Sequence, residues 1–167
     1  MALLSPETVP VKMYKWDDVG APVFNRSTNA LINIFNACLV TGYGTKPGAG
    51  WTAPYEASGI KVFRPQVSAD TDFYLRCSAN TTTQMTAQVY LNMTGVSTGD
   101  LKLQCAQPFK YARGTTTNRW LLVASPRGLW FFCEQAYNLP GVGVSGSYFF
   151  AGDKIGRASC RERVWIK

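Results

Sequence analysis

The most constraining stretch of this chain is RWLLVASPRGLWFFCEQA, residues 119–136. Two apolar runs, Trp120 to Ala124 and Leu129 to Cys133, flank the tetrapeptide Ser125-Pro126-Arg127-Gly128. Short apolar runs rich in aromatic and branched side chains, bounded by turn formers, have the character of strands. Proline presets φ at the first corner of a turn and glycine relieves its end, so the two runs are predicted to form a hairpin. Neither run alternates apolar with polar residues. The hairpin is therefore expected at the centre of a sheet, covered on both faces.

Around it the pattern is β. VKMYKW, GIKVFRP, DFYLRCSA, TAQVYLNM, LKLQCA and the run Ser147 to Ala151 are further strand candidates. DFYLRCSA puts Phe73, Leu75 and Cys77 on one side and Tyr74, Arg76 and Ser78 on the other. TAQVYLNM likewise sets Ala87, Val89, Leu91 and Met93 against Gln88, Tyr90 and Asn92, and such period-two patterns belong to antiparallel sheets with one wet face.

One segment reads differently. In residues 28–41 the apolar positions Leu31, Ile34, Phe35, Cys38 and Leu39 follow the spacing of one helix face. Capping residues precede it at Asn25 to Ser27, and Gly42 stands where a left-handed cap belongs. Residues 41–59 hold Gly42, Gly44, Gly48, Gly50 and Gly59 with Pro47 and Pro54, and are predicted to be a structured surface loop outside any regular element that positions Tyr43, Trp51 and Tyr55 against the body. The expected fold class is α+β, mainly β: an antiparallel sheet or sandwich of about seven short strands with one packed N-terminal helix.

Composition excludes much chemistry. The chain contains no histidine, which removes Ser-His and Cys-His nucleophiles and the mixed zinc sites. Its cysteines, Cys38, Cys77, Cys105, Cys133 and Cys160, are widely spaced and lie mostly in apolar runs, as small buried hydrophobes do. Asp17 and Asp18 are adjacent and point apart on an extended chain, whereas Asp70 and Asp72 share a side beside a strand start. Calcium would need six or more oxygens there. Gly42-x-Gly44 follows a helix instead of opening one, and no Gly-Lys-Ser/Thr comes after it, so it lacks the form of a phosphate loop. No catalytic, cofactor-binding or metal residue is assigned, and no cofactor is expected.

The net charge of +7 suggests nucleic acid, yet the last thirteen residues alone carry four basic residues against one acidic, leaving +4 without them. Arg64, Arg76, Lys102, Lys110, Arg113, Arg119 and Arg127 are scattered and form no basic cluster, the pattern of solvated strand edges. The run IGRASCRERV matches one reading frame of a common sequencing adapter. Residues 1–154 are accordingly expected to be the single β-rich domain and residues 155–167 a non-native tail. The start, MALLSPETVP, lacks the basic and apolar regions of a signal peptide. Aromatic surplus is the remaining signal: Tyr74, Tyr90, Trp130, Phe132 and Tyr137 are candidates for a second apolar sheet face, which another layer, a missing C-terminal segment or a partner subunit must cover.

Several segments resemble a family of small virion structural proteins of tailed bacteriophages and prophages. The likeness lies in ALINIFNACLVTGYGTKPGAGWTAPY, GIKVFRP, DFYLRC, AQVYLNMTGVSTG, RWLLVASPRGLWFF and YFFAGD, in that order through most of residues 11–153. Members continue beyond the YFFAGD run, where this chain departs from the pattern. The resemblance implies a location, the virion, after synthesis in the bacterial host cytoplasm, and no reaction. It implies a non-enzymatic capsid- or tail-associated assembly protein whose partners are other copies of itself and virion proteins, with neither nucleic acid, membrane nor small-molecule substrate. Tyr43, Trp51, Tyr55 and the Arg127 turn are the candidate contact residues. A receptor- or carbohydrate-binding module of a phage tail is the alternative, with Trp51, Tyr43 and Tyr55 as stacking platforms. A lytic enzyme would need an acid pair that the sequence does not display.

Overall fold

A computed structural model describes residues 9–25, 27–67, 72–82, 84–104, 109–110, 118–134 and 146–152. Among these residues ten strands form two antiparallel sheets. The first is ordered β1 (Lys12–Lys15), β8 (Trp120–Ser125), β9 (Gly128–Glu134), β10 (Gly146–Gly152). The second runs β2 (Thr52–Ala57), β3 (Ile60–Arg64), β4 (Tyr74–Thr81), β5 (Gln84–Gly95), β6 (Thr98–Gln104), and β7 (Phe109–Lys110) also pairs with β5. The fold is thus mainly β with one helical segment, as the sequence pattern predicts.

The predicted hairpin is β8–β9, two central strands of the first sheet, joined through Ser125 paired with Gly128. Its burial alternates, contrary to the expectation of cover on both faces. Trp120, Leu122, Ala124, Leu129, Phe131 and Cys133 are buried, whereas Trp130 is 36% and Phe132 43% exposed on the other side. Among the described residues no element lies over that outer side.

The helix is predicted at residues 28–41 and occurs as α1 (Ala30–Phe35) running without interruption into a π-helical stretch, Asn36–Thr41. Leu31, Ile34, Phe35, Cys38 and Leu39 are all fully buried. Ile32 is buried as well, because the helix meets both sheets instead of lying on one. Phe35 is the node: its ring packs edge-on to Phe63 of the second sheet at 6.2 Å and to Phe131 of the first at 5.3 Å, with Phe149 at 6.0 Å. No side-chain cap forms at the helix start. The N-cap is Asn29, at φ 68°, a left-handed conformation that asparagine tolerates better than most residues.

The wider turns of the π stretch leave carbonyls that the following chain satisfies. Ala49 N–H donates to Cys38 O at 2.9 Å, and the N–H groups of Gly50 and Trp51 both donate to Leu39 O. The loop therefore doubles back along the helix end as its cap. That path explains Gly48: a Cβ built there would lie 2.4 Å from Val40 O. Gly42 has positive φ as expected, though with extended ψ instead of the helical left-handed form.

Two further expectations need correction. Residues 41–59 are not all loop, since β2 occupies Thr52–Ala57 as an edge strand. Pro54 is accommodated because an edge strand can forgo one ladder donor, and the pairing with β3 is irregular there. The second sheet's outer face is also not uniformly wet. Tyr74 and Tyr90 are buried with Val62 and Met93 in a small cluster joined by Tyr55 and Val96. Register shifts between β5 and β6 then break the alternation, leaving Leu91 exposed and Met93 buried. Asp70, Tyr137, Cys105, Cys160 and the tail at 155–167 lie outside the described residues.

Removing the Phe35 ring should open a cavity shared by both sheets. Phe35→Ala is expected to cost about 3–5 kcal/mol, read from chemical denaturation monitored by far-UV circular dichroism, while Phe35→Leu should cost clearly less.

Candidate functional site

The candidate contact residues are placed by the loop that caps the helix. Tyr43 turns back onto β1 and the segment after it, where its hydroxyl donates to Asp18 Oδ2 at 2.8 Å. The same oxygen accepts from Lys46 Nζ at 2.6 Å and from the backbone N–H of Lys15 at 2.8 Å. Burial raises the Asp18 carboxyl, but these three donors and the Lys46 charge outweigh it and hold the group at about 2. Burial, and then the bond to Asp18, push the Tyr43 phenol well up. Neighbouring Tyr14 is pushed to about 12 by burial and then by Cys38, and its hydroxyl donates to Pro47 O at 2.8 Å. Both phenols are thus neutral donors, and this constellation is a clasp between β1 and the loop.

Trp51 is only 3% exposed. Its Nε1–H donates to Ser125 O at 2.8 Å, and the next turn carbonyl, Pro126 O, accepts from Gln66 N–H at 2.8 Å. The β8–β9 turn is thereby tied to the second sheet at two successive carbonyls, with Arg127 half-buried beside them. Tyr55 is half-buried too, its hydroxyl donating to Met93 O at 2.9 Å and its ring 6.4 Å from Tyr74. Of the four candidate contact residues, Trp51 is a core tie instead of a platform. Tyr43, Tyr55 and Arg127 sit at three separate places and do not converge on one surface.

A different surface does converge. Strand register places the outward residues of the first sheet in two rows across all four strands. One row is Met13, Val123, Trp130 and Phe150, and the other is Lys15, Leu121, Phe132 and Tyr148. Seven of these eight side chains are apolar or aromatic. Met13 is 54% and Tyr148 38% exposed, and the Trp130 and Phe150 rings pack tilted at 36° with centroids 4.7 Å apart. Trp16, the residue after β1, is exposed, with the Arg119 guanidinium 5.7 Å from its ring. Trp130 and Phe132 were legible as candidates for such a face. Met13, Leu121, Val123, Tyr148 and Phe150 join them only through pairing between strands distant in sequence.

Acidic groups do not gather. Asp17 pairs with Lys15 and Asp72 with Arg64, and among the described residues no three metal-ligating side chains cluster. Cys38, Cys77 and Cys133 are buried, and burial pushes the Cys38 thiol well up, away from nucleophilic use. No helix among the described residues is long and apolar enough to cross a membrane. Comparison with protein families, characterised proteins and solved structures returns no match to this chain.

The Asp18 clasp has a pH signature. A carboxyl lowered from 3.8 to about 2 contributes stability that is complete above pH 4 and is lost as pH falls through 2. The contribution should be about 1–2 kcal/mol after allowing for solvent around Lys46. Asp18→Asn is expected to flatten the stability curve between pH 4 and 2, measured by denaturant unfolding at each pH.

Proposed function

We propose that this chain is a non-enzymatic structural component of a tailed-phage virion, an assembly protein of the capsid or tail. The observation that carries the assembly reading is the outward face of the first sheet. An apolar, aromatic sheet face left open in a folded chain raises the free energy of the isolated state and favours whatever association covers it. The virion location rests on the sequence resemblance. Neighbouring copies and other virion proteins are the partners that the reading names.

The alternative, a receptor- or carbohydrate-binding module, loses Trp51 as a stacking platform because its indole is buried. It keeps one favourable observation, the tilted Trp130–Phe150 pair on the outward face, since aromatic faces also hold sugar rings.

Particle association separates the two. The full chain produced with its particles should co-sediment in fixed stoichiometry and bind neither host cells nor polysaccharide alone. Phe132→Glu, on the outward row, should reduce incorporation at least tenfold while unfolding within about 1 kcal/mol of the parent. Cell or glycan binding by the isolated chain, lost on Trp130→Ala, would establish the alternative instead.

A further inference from the structure

We infer that the tip of the β5–β6 hairpin is a hinged strap, latched by Arg76 and Tyr55 across the outer face of its own sheet, which swings away as a unit and uncovers the apolar cluster around Val62. The inference concerns the second sheet and does not rest on the assembly reading.

Strand register shows where the hairpin leaves the sheet. The β4–β5 ladder starts at Tyr74 paired with Tyr90, and among the described residues β5 beyond Tyr90 pairs only with β6. The irregularities of the β5–β6 ladder all fall there, between Val89 and Tyr90, Tyr90 and Met93, and Met93 and Gly95. Extra residues in one strand bend it and sharpen its twist. Three bonds fix the direction of the bend. The Tyr55 hydroxyl, on β2, donates to Met93 O at 2.9 Å. Arg76, on β4, donates from Nε to Val96 O at 2.9 Å and from Nη2 to Ser97 Oγ at 3.3 Å. Val62 registers the result. It is paired with Tyr55 and with Arg76 and so shares their outward face, yet it is fully buried. Tyr74, Tyr90 and Met93 pack around it, with Tyr55 and Val96 against the cluster.

Beyond the bend the tip is a body of its own. Asn92 Nδ2 donates to Asp100 Oδ2 at 3.0 Å across its two strands, and Gly95 paired with Thr98 closes its end. Gly99 permits the close approach beside the bend, since a Cβ there would collide with the Asn92 carbonyl. Against the sheet, by contrast, the described residues hold the tip by one small cluster and the latch bonds. Arg76 also donates from Nη1 to Gln88 Oε1 at 2.6 Å, so the guanidinium is anchored on the sheet at one end and grips the tip at the other. Bonds from a charged donor are stronger than neutral ones, which makes Arg76 the principal latch. A segment with little apolar cover and few bonds to the body opens more readily than the whole fold.

Thiol labelling of the full chain tests this. Val62→Cys places a small thiol under the strap, and its reaction with iodoacetamide, located by mass spectrometry, reads how often the strap is open. Adding Arg76→Met should speed labelling at residue 62 about tenfold, and adding Tyr55→Phe, which removes only a hydroxyl, about threefold. Cys38, buried in the core between the sheets, should react no faster in either protein. Labelling at residue 62 that neither change accelerates overturns the latch. Equal acceleration at Cys38 shows the whole fold opening and overturns the strap. Should the Arg76→Met protein not fold, the rates at residues 62 and 38 with Tyr55→Phe decide by the same criteria.

Discussion

The fold depends on one aromatic ring held between two sheets. Phe35 touches Phe63 on one side and Phe131 and Phe149 on the other, so the sheets share a single core through the helix that carries it. Neither sheet could bury its inner face alone, since an open sheet needs a second layer against its apolar side. The helix is short, and helical propensity alone would not hold six α-helical residues in place. Its persistence comes from tertiary burial of seven of the ten residues from Ala30 to Leu39, including all of the predicted apolar face.

A second constraint follows from how that helix ends. Widening into a π turn directs the Cys38 and Leu39 carbonyls toward the returning loop, whose amides satisfy them. The loop can approach closely only where side chains are missing, hence Gly48 against Val40 and Gly44, at φ 54°, against the Val19 carbonyl. From this cap the chain delivers Trp51 to the β8–β9 turn and Tyr43 to Asp18. The glycine-rich segment is thus the joint that sets helix, first sheet and second sheet relative to one another, which is why its aromatics are spent inside the molecule.

These relations explain what could be read in advance. The hairpin, the helix face and most strands were legible because each is a local pattern: a turn between apolar runs, a helical spacing, an alternation. β2 was hidden because Pro54 and the surrounding glycines mimic loop composition, while its strand character comes from pairing with β3 across the Ser58-Gly59 turn. Packing of Trp51 and Tyr55 against the body was legible from the loop, but the carbonyls they tie, Ser125 O and Met93 O, were not, because those bonds span distant segments. The π turn left no trace, since its buried residues keep the helical spacing. For the candidate site, apolar residues on both sides of the hairpin were visible, but which side is covered depends on the helix, and the two rows are assembled from residues as far apart as Met13 and Phe150.

The outward rows are therefore the part of the surface whose chemistry least suits water and whose geometry is most regular. The assembly reading turns on their being covered when the chain works. Radical footprinting of the outward side chains, isolated chain against assembled particle, addresses this most directly. The account predicts that Trp130, Phe132 and Tyr148 are readily modified in the isolated chain and strongly protected after assembly, with the exposed Val19 and Leu91 on other surfaces less affected. Equal modification of the three aromatics in both states would contradict it.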